Sequence, residues 1–385
     1  MAAPLGRAPG AGPGAWRVPS AHGSIPVRAV EGELARLWAD AAQSPDAPPS
    51  AGAIRACTLN LVIGAGVGES PQDLTPLVAE VMAEHPCRAL LLLEEPGAGA
   101  SVQATIAAVC HRPTAGGGGL VCGEEVLLTA GGEGRRAAGG PALSLLVANL
   151  PVVLWWRGGS PAADERFTRL AGVADRILFD SARLGEAGVG LPALADLVER
   201  YRNAALTDLQ WGRLTPWRSL TAQFFDAPGV RPCLARLVEV TVAFGPTPSG
   251  VSQALLYAGW LGSRLGWRGT GAARREERGG MRATLEREGG TVRLLFRPAA
   301  TPTTEGLVGI SILVEDPPAR FRLHLAADGV CVMSEAELAG RPPLSRAVCV
   351  EGPDEAALIG QELRLPGRDP VFEDALRVAA ILAPR

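Results

Sequence analysis

The sequence contains no lysine, so all 37 of its basic residues are arginines. A chain without lysine cannot form a Schiff base, cannot use a lysine as a general base and cannot supply the lysine of a phosphate-binding P-loop. Several classes of carbonyl and phosphoryl chemistry are therefore excluded.

Common catalytic and metal-binding motifs are also missing. No GxSxG, HExxH or HxxEH run occurs, and none of the four histidines has an obvious carboxylate partner nearby in the sequence. The seven cysteines form no CxxC pair, and the spacing of His85, Cys87, Cys110, His111 and Cys122 fits no common zinc template. We predict no metal site and no cofactor, and we expect most cysteines to be reduced and buried.

No apolar run is long enough for a membrane helix. The longest, LSLLVANLPVVLWW (143–156), is interrupted by Asn149 and Pro151 and is shorter than the roughly 20 residues that a span requires. The N-terminal sequence MAAPLGRAPGAGPGAW has no apolar segment typical of a secretory signal. We expect a cytoplasmic protein without a membrane partner.

The charge pattern does not indicate nucleic-acid binding. The formal net charge is -3, whereas nucleic-acid binders need basic patches that neutralise phosphates. The arginine-rich segment GWRGTGAARREERGGMR (266–282) is interleaved with Glu276 and Glu277, which is more typical of a solvated loop.

The hydrophobic pattern divides the chain into three parts. Residues 1–28 are rich in glycine and proline and predict a disordered tail. Residues 29–190 alternate apolar strands with helix-length segments, among them 71–85 and 141–150, which predicts a Rossmann-like α/β domain with a mainly parallel sheet. Residues 191–385 combine helices with a run of alternating strands, which predicts an α+β domain whose antiparallel sheet is covered by helices.

The stretch LNLVIGAGVGES (59–70) resembles the start of a dinucleotide-binding fold. A dinucleotide fingerprint has the spacing G-x-G-x-x-G, but here the third glycine, Gly68, comes one position early and Glu69 occupies the required site. A carboxylate at the helix mouth repels a pyrophosphate unless it turns away. Ser70 and Pro71 suit an N-cap and a first helical position, so we interpret the glycines as a strand-to-helix turn.

The adjacent carboxylates Glu124 and Glu125 stand at the start of the apolar segment CGEEVLL. Paired carboxylates can act as general acid and base, but a position at the start of a strand explains them more simply. We expect both side chains to be exposed there.

Tryptophan and arginine recur together in two later segments, DLQWGRLTPWRSLTAQFFD (208–226) and LLYAGWLGSRLGWRG (255–269). In the first, we expect Thr215 to cap a helix that begins at Pro216. Aromatic residues at helical spacing are usually core, yet tryptophan and arginine are also enriched at interface hot spots. The residue pattern leaves both interpretations open for Trp211 and Trp217.

Several segments together resemble the OpcA family of glucose-6-phosphate dehydrogenase assembly proteins from cyanobacteria and actinobacteria. They are RACTLNLV (55–62), CGEEVLL (122–128), LPVVLWWRG (150–158), ADRILFDS (174–181), the segment 208–226, GWLGSRLGW (259–267) and GQELRLPGRDPVFEDALRVA (360–379). The resemblance runs in order from about residue 30 to the end, and its most specific part surrounds Trp211 and Trp217.

This resemblance implies a protein that is not an enzyme. Family members are understood to bind glucose-6-phosphate dehydrogenase, to favour its active oligomer and to raise its response to substrate. The dehydrogenase itself uses an Asp-His pair and a lysine, neither of which this chain contains. Partner-binding candidates by this reasoning are Trp211, Arg213, Trp217, Arg218, Arg264 and Trp267.

The resemblance also raises a redox role. Some cyanobacterial members are thought to sense redox state through cysteines that thioredoxin reduces. Cys110 and Cys122 lie on neighbouring predicted strands, could pair there, and are the candidate redox cysteines of this chain. Buried strand cysteines are usually inert, and no sequence feature indicates a low thiol pKa.

The alternative function is a protein or enzyme that binds a nucleotide or sugar phosphate at the C-terminal edge of the parallel sheet, where such folds place ligands. Arg157, which follows LWW, is the residue that could hold the phosphate. Binding of NADP or glucose 6-phosphate to the isolated protein would distinguish this function from the assembly role.

Overall fold

The computed structural model describes residues 6–7, 15–43, 53–95, 101–112, 119–132, 134, 138–185, 188, 190–269, 271–300, 305–349 and 352–384. The chain divides into two compact units. The first unit consists of Met1–Phe179, Asn203–Leu206 and Asp354–Gly367, and the second of Asp180–Arg202, Thr207–Pro353 and Arg368–Arg385. Each unit is therefore built from separate segments, whereas the sequence predicted continuous domains that meet at residue 190.

The helices of the described residues are short or medium in length. They are α1 (Val30–Gln43), α2 (Pro71–Glu84), α3 (Gly139–Ser144), α4 (Glu165–Ala171), α5 (Gly190–Arg200), α6 (Leu209–Arg213), α7 (Thr215–Phe224), α8 (Pro248–Arg264), α9 (Glu355–Arg364) and α10 (Pro370–Leu382).

The first sheet has the order β1-β2-β7-β8-β6-β5-β9-β10-β11, with β3 also paired to β7 and β4 to β8. Its strands are β1 (Gly6–Arg7), β2 (Ala15–Pro19), β3 (Ile25–Pro26), β4 (Ala53–Arg55), β5 (Asn60–Gly64), β6 (Arg88–Glu94), β7 (Gln103–His111), β8 (Leu120–Ala130), β9 (Val152–Trp156), β10 (Arg176–Phe179) and β11 (Ala205–Asp208). The pairs from β8 through β6, β5 and β9 to β10 are parallel, while β2 and β8 flank β7 in antiparallel pairs. The predicted mainly parallel sheet is confirmed.

The second sheet has the order β13-β15-β16-β12-β17-β18-β19-β20, with β14 also paired to β15. Its strands are β12 (Leu237–Phe244), β13 (Arg268–Gly269), β14 (Arg274–Arg275), β15 (Met281–Arg287), β16 (Gly290–Pro298), β17 (Leu307–Val314), β18 (Ala319–Leu325), β19 (Cys331–Leu338) and β20 (Leu344–Cys349). All of these pairs are antiparallel except β12 with β16, which is parallel. The predicted antiparallel sheet is confirmed, and β12 joins it from a distant part of the sequence.

Part of the predicted disordered tail belongs to the first sheet. Residues 15–19 and 25–26 form β2 and β3, both antiparallel to β7. Trp16 and Val18 pack against the buried core beneath them, so this segment gains apolar burial as well as ladder hydrogen bonds. The prediction of disorder is wrong for these residues, while residues 1–5 and 8–14 lie outside the described part.

The helix predicted over 141–150 ends early, at Ser144. The buried Asn60 side chain explains this, because its Oδ1 accepts from the Val147 N–H at 2.8 Å and its Nδ2 donates to the Val147 carbonyl at 3.0 Å. Asn149 then adopts a φ of 64°, which a helix does not allow. The backbone that would continue the helix is held by strand β5 instead.

Glu124 and Glu125 are fully buried, so the expectation of exposure is wrong. Glu124 accepts from the Arg88 Nε at 2.7 Å and from the Trp38 indole N–H at 2.8 Å. Glu125 accepts from the Arg17 Nη2 at 2.6 Å, although its burial still raises its pKa. These carboxylates hold neighbouring elements on the sheet and are not a free acid–base pair.

Candidate functional site

The turn after β5, where a dinucleotide would bind, is filled by the chain's own carboxylate. The Gly66 N–H donates to Glu69 Oε2 at 2.7 Å, and the Ser70 N–H donates to Asp73 Oδ2 at 2.9 Å. Backbone N–H groups at a helix start are the usual ligands of a bound phosphate. Here acidic side chains occupy two of them.

The glycines of this turn are required by neighbouring protein atoms. A Cβ added to Gly64 would lie 2.3 Å from a ring carbon of Trp156, and one added to Gly66 would lie 2.9 Å from the Arg157 carbonyl oxygen. Gly68 has a φ of +82°, which L side chains rarely adopt. The interpretation of a structural strand-to-helix turn explains all three positions without a cofactor.

Arg157 lies at the C-terminal end of β9 and is already fully engaged. Its Nη2 donates to Glu69 Oε1 at 2.6 Å, its Nη1 pairs with Glu355 at the start of α9, and its guanidinium lies 4.4 Å from the Trp155 ring centroid. Arg157 is 6% exposed. Glu69 and Glu355 neutralise the Arg157 guanidinium within the first unit, so the structure does not support Arg157 as a phosphate ligand.

Trp211, from the most specific part of the resemblance, is a core residue of the second unit. Asp208 caps α6 by accepting from the Gln210 N–H, and this places the Trp211 ring against Phe372 of α10 at 5.7 Å between centroids. The indole N–H donates to Asp369 Oδ2 at 3.0 Å. The Arg218 guanidinium covers the ring at 3.5 Å from its centroid. Trp211 therefore connects α6, α7 and α10.

The other candidates divide between core and surface. Trp217 and Trp267 are buried, at 7% and 5% exposure, while Arg213 is half-buried and donates to the Pro353 carbonyl at 3.3 Å. Arg264 is exposed and pairs with Asp374. Thr215 is not the N-cap of α7, because Leu214 holds that position and the Thr215 hydroxyl accepts from Arg218 Nη2 at 3.0 Å. The side chains of Trp211, Trp217 and Trp267 thus pack within the second unit.

A cavity of about 220 Å³ opens beside this segment, lined by Arg213, Trp217, Ser249, Gln253, Glu305 and Pro353, among others. Sites for small molecules and cofactors commonly measure about 300–1,000 Å³, so the cavity is small for a nucleotide. It also carries both a cation and a carboxylate, which gives no clear preference for an anion.

A buried carboxylate beneath α6 was missed by the sequence reasoning. Asp208 is fully buried, and its burial, with the nearby Asp180, raises its pKa to about 7. Its Oδ1 accepts from the N–H groups of Ser181 and Gln210 at 3.0 and 3.1 Å. The Gln210 side chain donates to Asp180 and accepts from Ser249 and Gln253, so a polar network extends to α8. Its only sequence signal is the Asp before a helix start.

Two cysteine pairs are joined as disulfides, so the expectation of reduced thiols is wrong for these four residues. Cys110 lies opposite Cys122 on β7 and β8, and Cys331 lies opposite Cys349 on β19 and β20. The first pair is buried under Trp16, Val18 and Trp38. Burial raises the pKa of Cys57 to about 11, which keeps that free thiol protonated.

The described ranges contain neither a candidate metal cluster nor a candidate membrane helix. No group of three or more His, Cys, Asp or Glu side chains there is placed to hold a metal ion. No helix in the described part of the chain is long and apolar enough to cross a bilayer.

Comparison with known proteins then identifies the family. Residues 78–196 match the glucose-6-phosphate dehydrogenase subunit N-terminal domain of the OpcA family, and residues 204–376 match the corresponding C-terminal domain. The chain belongs to the OpcA family. The OpcA matches cover both units in the order that the resemblance predicted.

Curated OpcA relatives come from cyanobacteria. The OxPP cycle protein OpcA of Nostoc punctiforme is 33% identical over 194 residues, which cover 50% of this chain and 41% of that protein. Its counterpart in Synechococcus elongatus is 27% identical over 325 residues, covering 80% of this chain and 71% of that protein. The chain thus matches about two fifths of the length of the Nostoc relative.

Solved structures of low sequence identity also align with the chain. Biliverdin reductase from Synechocystis has a TM-score of 0.44 at 9% identity, covering 85% of this chain and 98% of that one. The WlbA dehydrogenase from Thermus thermophilus has a TM-score of 0.42 at 12% identity, covering 85% and 95%. Similarity at this level carries no inference about function.

Proposed function

We propose that this OpcA-family chain is a non-catalytic subunit that binds glucose-6-phosphate dehydrogenase and favours its active oligomer. It would thereby support NADPH production by the oxidative pentose phosphate pathway. The observation that carries the proposal is the match of both halves of the chain, in order, to the two domains of a glucose-6-phosphate dehydrogenase subunit family. The curated relatives, named for the same pathway, support it.

The turn after β5, whose anion position is occupied by Glu69, supports a role without catalysis. Glu69 occupies the anion position of the turn, and Arg157 is neutralised by Glu69 and Glu355. A pyrophosphate would have to displace a buried ion pair, which is unfavourable because it leaves charges without partners. This weakens the alternative of a nucleotide or sugar-phosphate enzyme at this edge of the sheet.

The mechanism in this proposal is differential binding. A subunit that binds the active oligomer of the dehydrogenase more tightly than the inactive form shifts the population toward activity without taking part in chemistry. A tenfold shift requires only about 1.4 kcal/mol of preference. The cytoplasmic location and the thioredoxin link remain predictions, and the burial of the Cys110–Cys122 pair gives the latter little support.

Two measurements on the purified chain test this function against its alternative. Light scattering of a mixture with glucose-6-phosphate dehydrogenase from the same organism should reveal a complex heavier than either protein. Calorimetric titration with NADP and with glucose 6-phosphate should show no binding to the isolated chain. Binding of either small molecule, without a complex, would favour the alternative.

A further inference from the structure

Among the described residues, one face of the second sheet is buried under helices and the other is exposed or half-buried. Along β12 and β15–β19, buried residues alternate with residues that are exposed or half-buried. The buried set packs under the helices, as Phe321 does against Phe224 and Phe225 at 5.1 and 4.9 Å between centroids. The other set forms the open face, which we define by Glu239, Thr241, Ala243, Arg282, Thr284, Glu286, Thr291, Arg293, Leu295, Arg297, Ser311, Leu313, Arg320, Arg322, His324, Met333, Glu335 and Glu337.

The register places these side chains in rows across the sheet. One row runs from Arg282 through Leu295, Thr241, Ser311 and Arg322 to Glu335. Small residues therefore occupy the centre of the open face, on β12 and β17. Arginines occupy the strands on both sides of that centre.

Most charged side chains of the open face are accessible and weakly paired, although Arg297 and Arg282 both pair with Glu276. Arg293 pairs with Glu239 at 3.1 Å, and the two are 59% and 25% exposed. Arg322 reaches Glu335 and Glu337 only at 3.6 and 3.4 Å. Exposed pairs of this kind contribute about 0–1 kcal/mol each, so a docked carboxylate can replace their partners at small cost.

The size of the open face suits a stable protein complex. Six strands spaced about 4.8 Å apart, each contributing about 20 Å of length, cover roughly 580 Å². A specific interface of standard size buries about 800 Å² on each partner. The open face thus provides most of such an interface without rearrangement.

A second copy of the chain matches this face poorly. A two-fold axis parallel to the strands would place β16 over β18 of the copy, and an axis across the strands would place each strand over itself. The first arrangement brings Arg293 against Arg320 and matches charges only at the outer strands β15 and β19, and the second brings Arg293 against Arg297 and Arg322 against itself. Like charges across an interface cost several kcal/mol. A different protein with carboxylates above β16 and β18 fits better.

We propose that the open face is the surface on which this chain docks a flat face of glucose-6-phosphate dehydrogenase that carries carboxylates opposite β16 and β18. The inference rests on the function proposed above and names the surface that performs it. Obligate interfaces are more hydrophobic than this face, so its polar character suits a partner from which the chain can separate.

The test uses two changes of different kinds in the full-length chain. Arg293→Glu with Arg320→Glu reverses one charge on each arginine-bearing strand, and Ser311→Arg adds bulk at the centre of the face. Each should weaken binding to the dehydrogenase at least about tenfold, and the wild-type complex should weaken as salt is raised. Arg169→Glu with Arg202→Glu, an equal total charge change at positions that are 55% and 73% exposed, is the matched control and should bind as wild type does. Thermal unfolding verifies that each variant is folded.

The outcomes separate the surface from the function. If the wild type forms the complex and both folded face variants bind equally well, the open face is not the docking surface, while the proposed function stands. If the wild type forms no complex, the function fails, and the surface assignment with it. If the wild type alone is a dimer that Ser311→Arg dissociates without weakening the complex, the face joins two copies and the proposal is overturned.

Discussion

The Asp208 carboxylate is fully buried at the N-cap of α6, and its pKa is raised from 3.8 to about 7 by burial and by the neighbouring Asp180. The unfolded chain therefore loses this proton at lower pH than the folded chain. Between about pH 4 and pH 7 this group makes the free energy of unfolding fall as pH rises, by at most about 1.4 kcal/mol per pH unit. Above the folded pKa its contribution is constant.

Asp208→Asn should flatten this dependence. The amide oxygen can still accept from the Ser181 and Gln210 N–H groups, and the neutral amide removes both the cost of a buried charge and its repulsion from Asp180. We expect the variant to gain stability relative to the wild type as pH rises from 5 to 8. Denaturant unfolding at a series of pH values measures this, and parallel curves for the two proteins would show that Asp208 is ionised throughout.

Glu69 and Arg157 form the second buried charge arrangement that can be tested by substitution. Removing one member leaves the other charge buried, so Glu69→Gln should lower the free energy of unfolding by about 3 kcal/mol. Adding Arg157→Met removes the buried charge that has lost one of its two carboxylate partners. The loss in the double variant should therefore be at least about 1 kcal/mol smaller than the sum of the two single losses. Additive losses in equilibrium unfolding would mean that the pair is not coupled.

The sequence predicted the residue chemistry best where a local rule applied. Glu69 stood at a position defined by the glycine spacing, so its conflict with a pyrophosphate was visible without a structure. Glu124 and Glu125 were misplaced because their partners, Arg88 and Arg17, are 36 and 108 residues away. Only tertiary packing brings those arginines to the strand.

At the scale of elements, Trp211 connects α6 and α7 with α10. Losing a buried tryptophan typically costs about 3–5 kcal/mol, so Trp211→Ala should destabilise the chain by that amount. Arg264→Ala, which removes an exposed ion pair with Asp374, should cost less than about 1 kcal/mol. Chemical denaturation compares the two variants. Equal, small losses would contradict the structural role assigned to the indole.

The element pattern was largely readable from periodicity, since the central strands of the first sheet are continuous apolar runs and the strands of the second sheet alternate between buried and exposed residues. It failed where side chains compete for the backbone. Asn60 bonds both polar groups of Val147 and stops α3, and a polar residue within a strand gives no sign of such a remote partner. Residues 15–19 contain few apolar side chains, so their sequence did not indicate that they pair as a strand with β7.

At the scale of the whole molecule, chain order and spatial order differ. The sequence assigned α9 to the C-terminal domain, yet α9 belongs to the first unit, where Glu355 binds Arg157 and the Gly360 carbonyl meets His85 at 3.0 Å. No local rule predicts that a helix near residue 360 returns to a sheet formed by the first half. The open face of the second sheet was also beyond prediction, because strand order decides which side chains share a row.

The most direct test of the central claim is the rate of glucose-6-phosphate dehydrogenase from the same organism at limiting glucose 6-phosphate, measured as this chain is titrated into the assay. A non-catalytic subunit that favours the active oligomer predicts a rate that rises and saturates at a fixed ratio of the two proteins, with no turnover by this chain alone. A rate that stays unchanged at every concentration of folded chain would contradict the account.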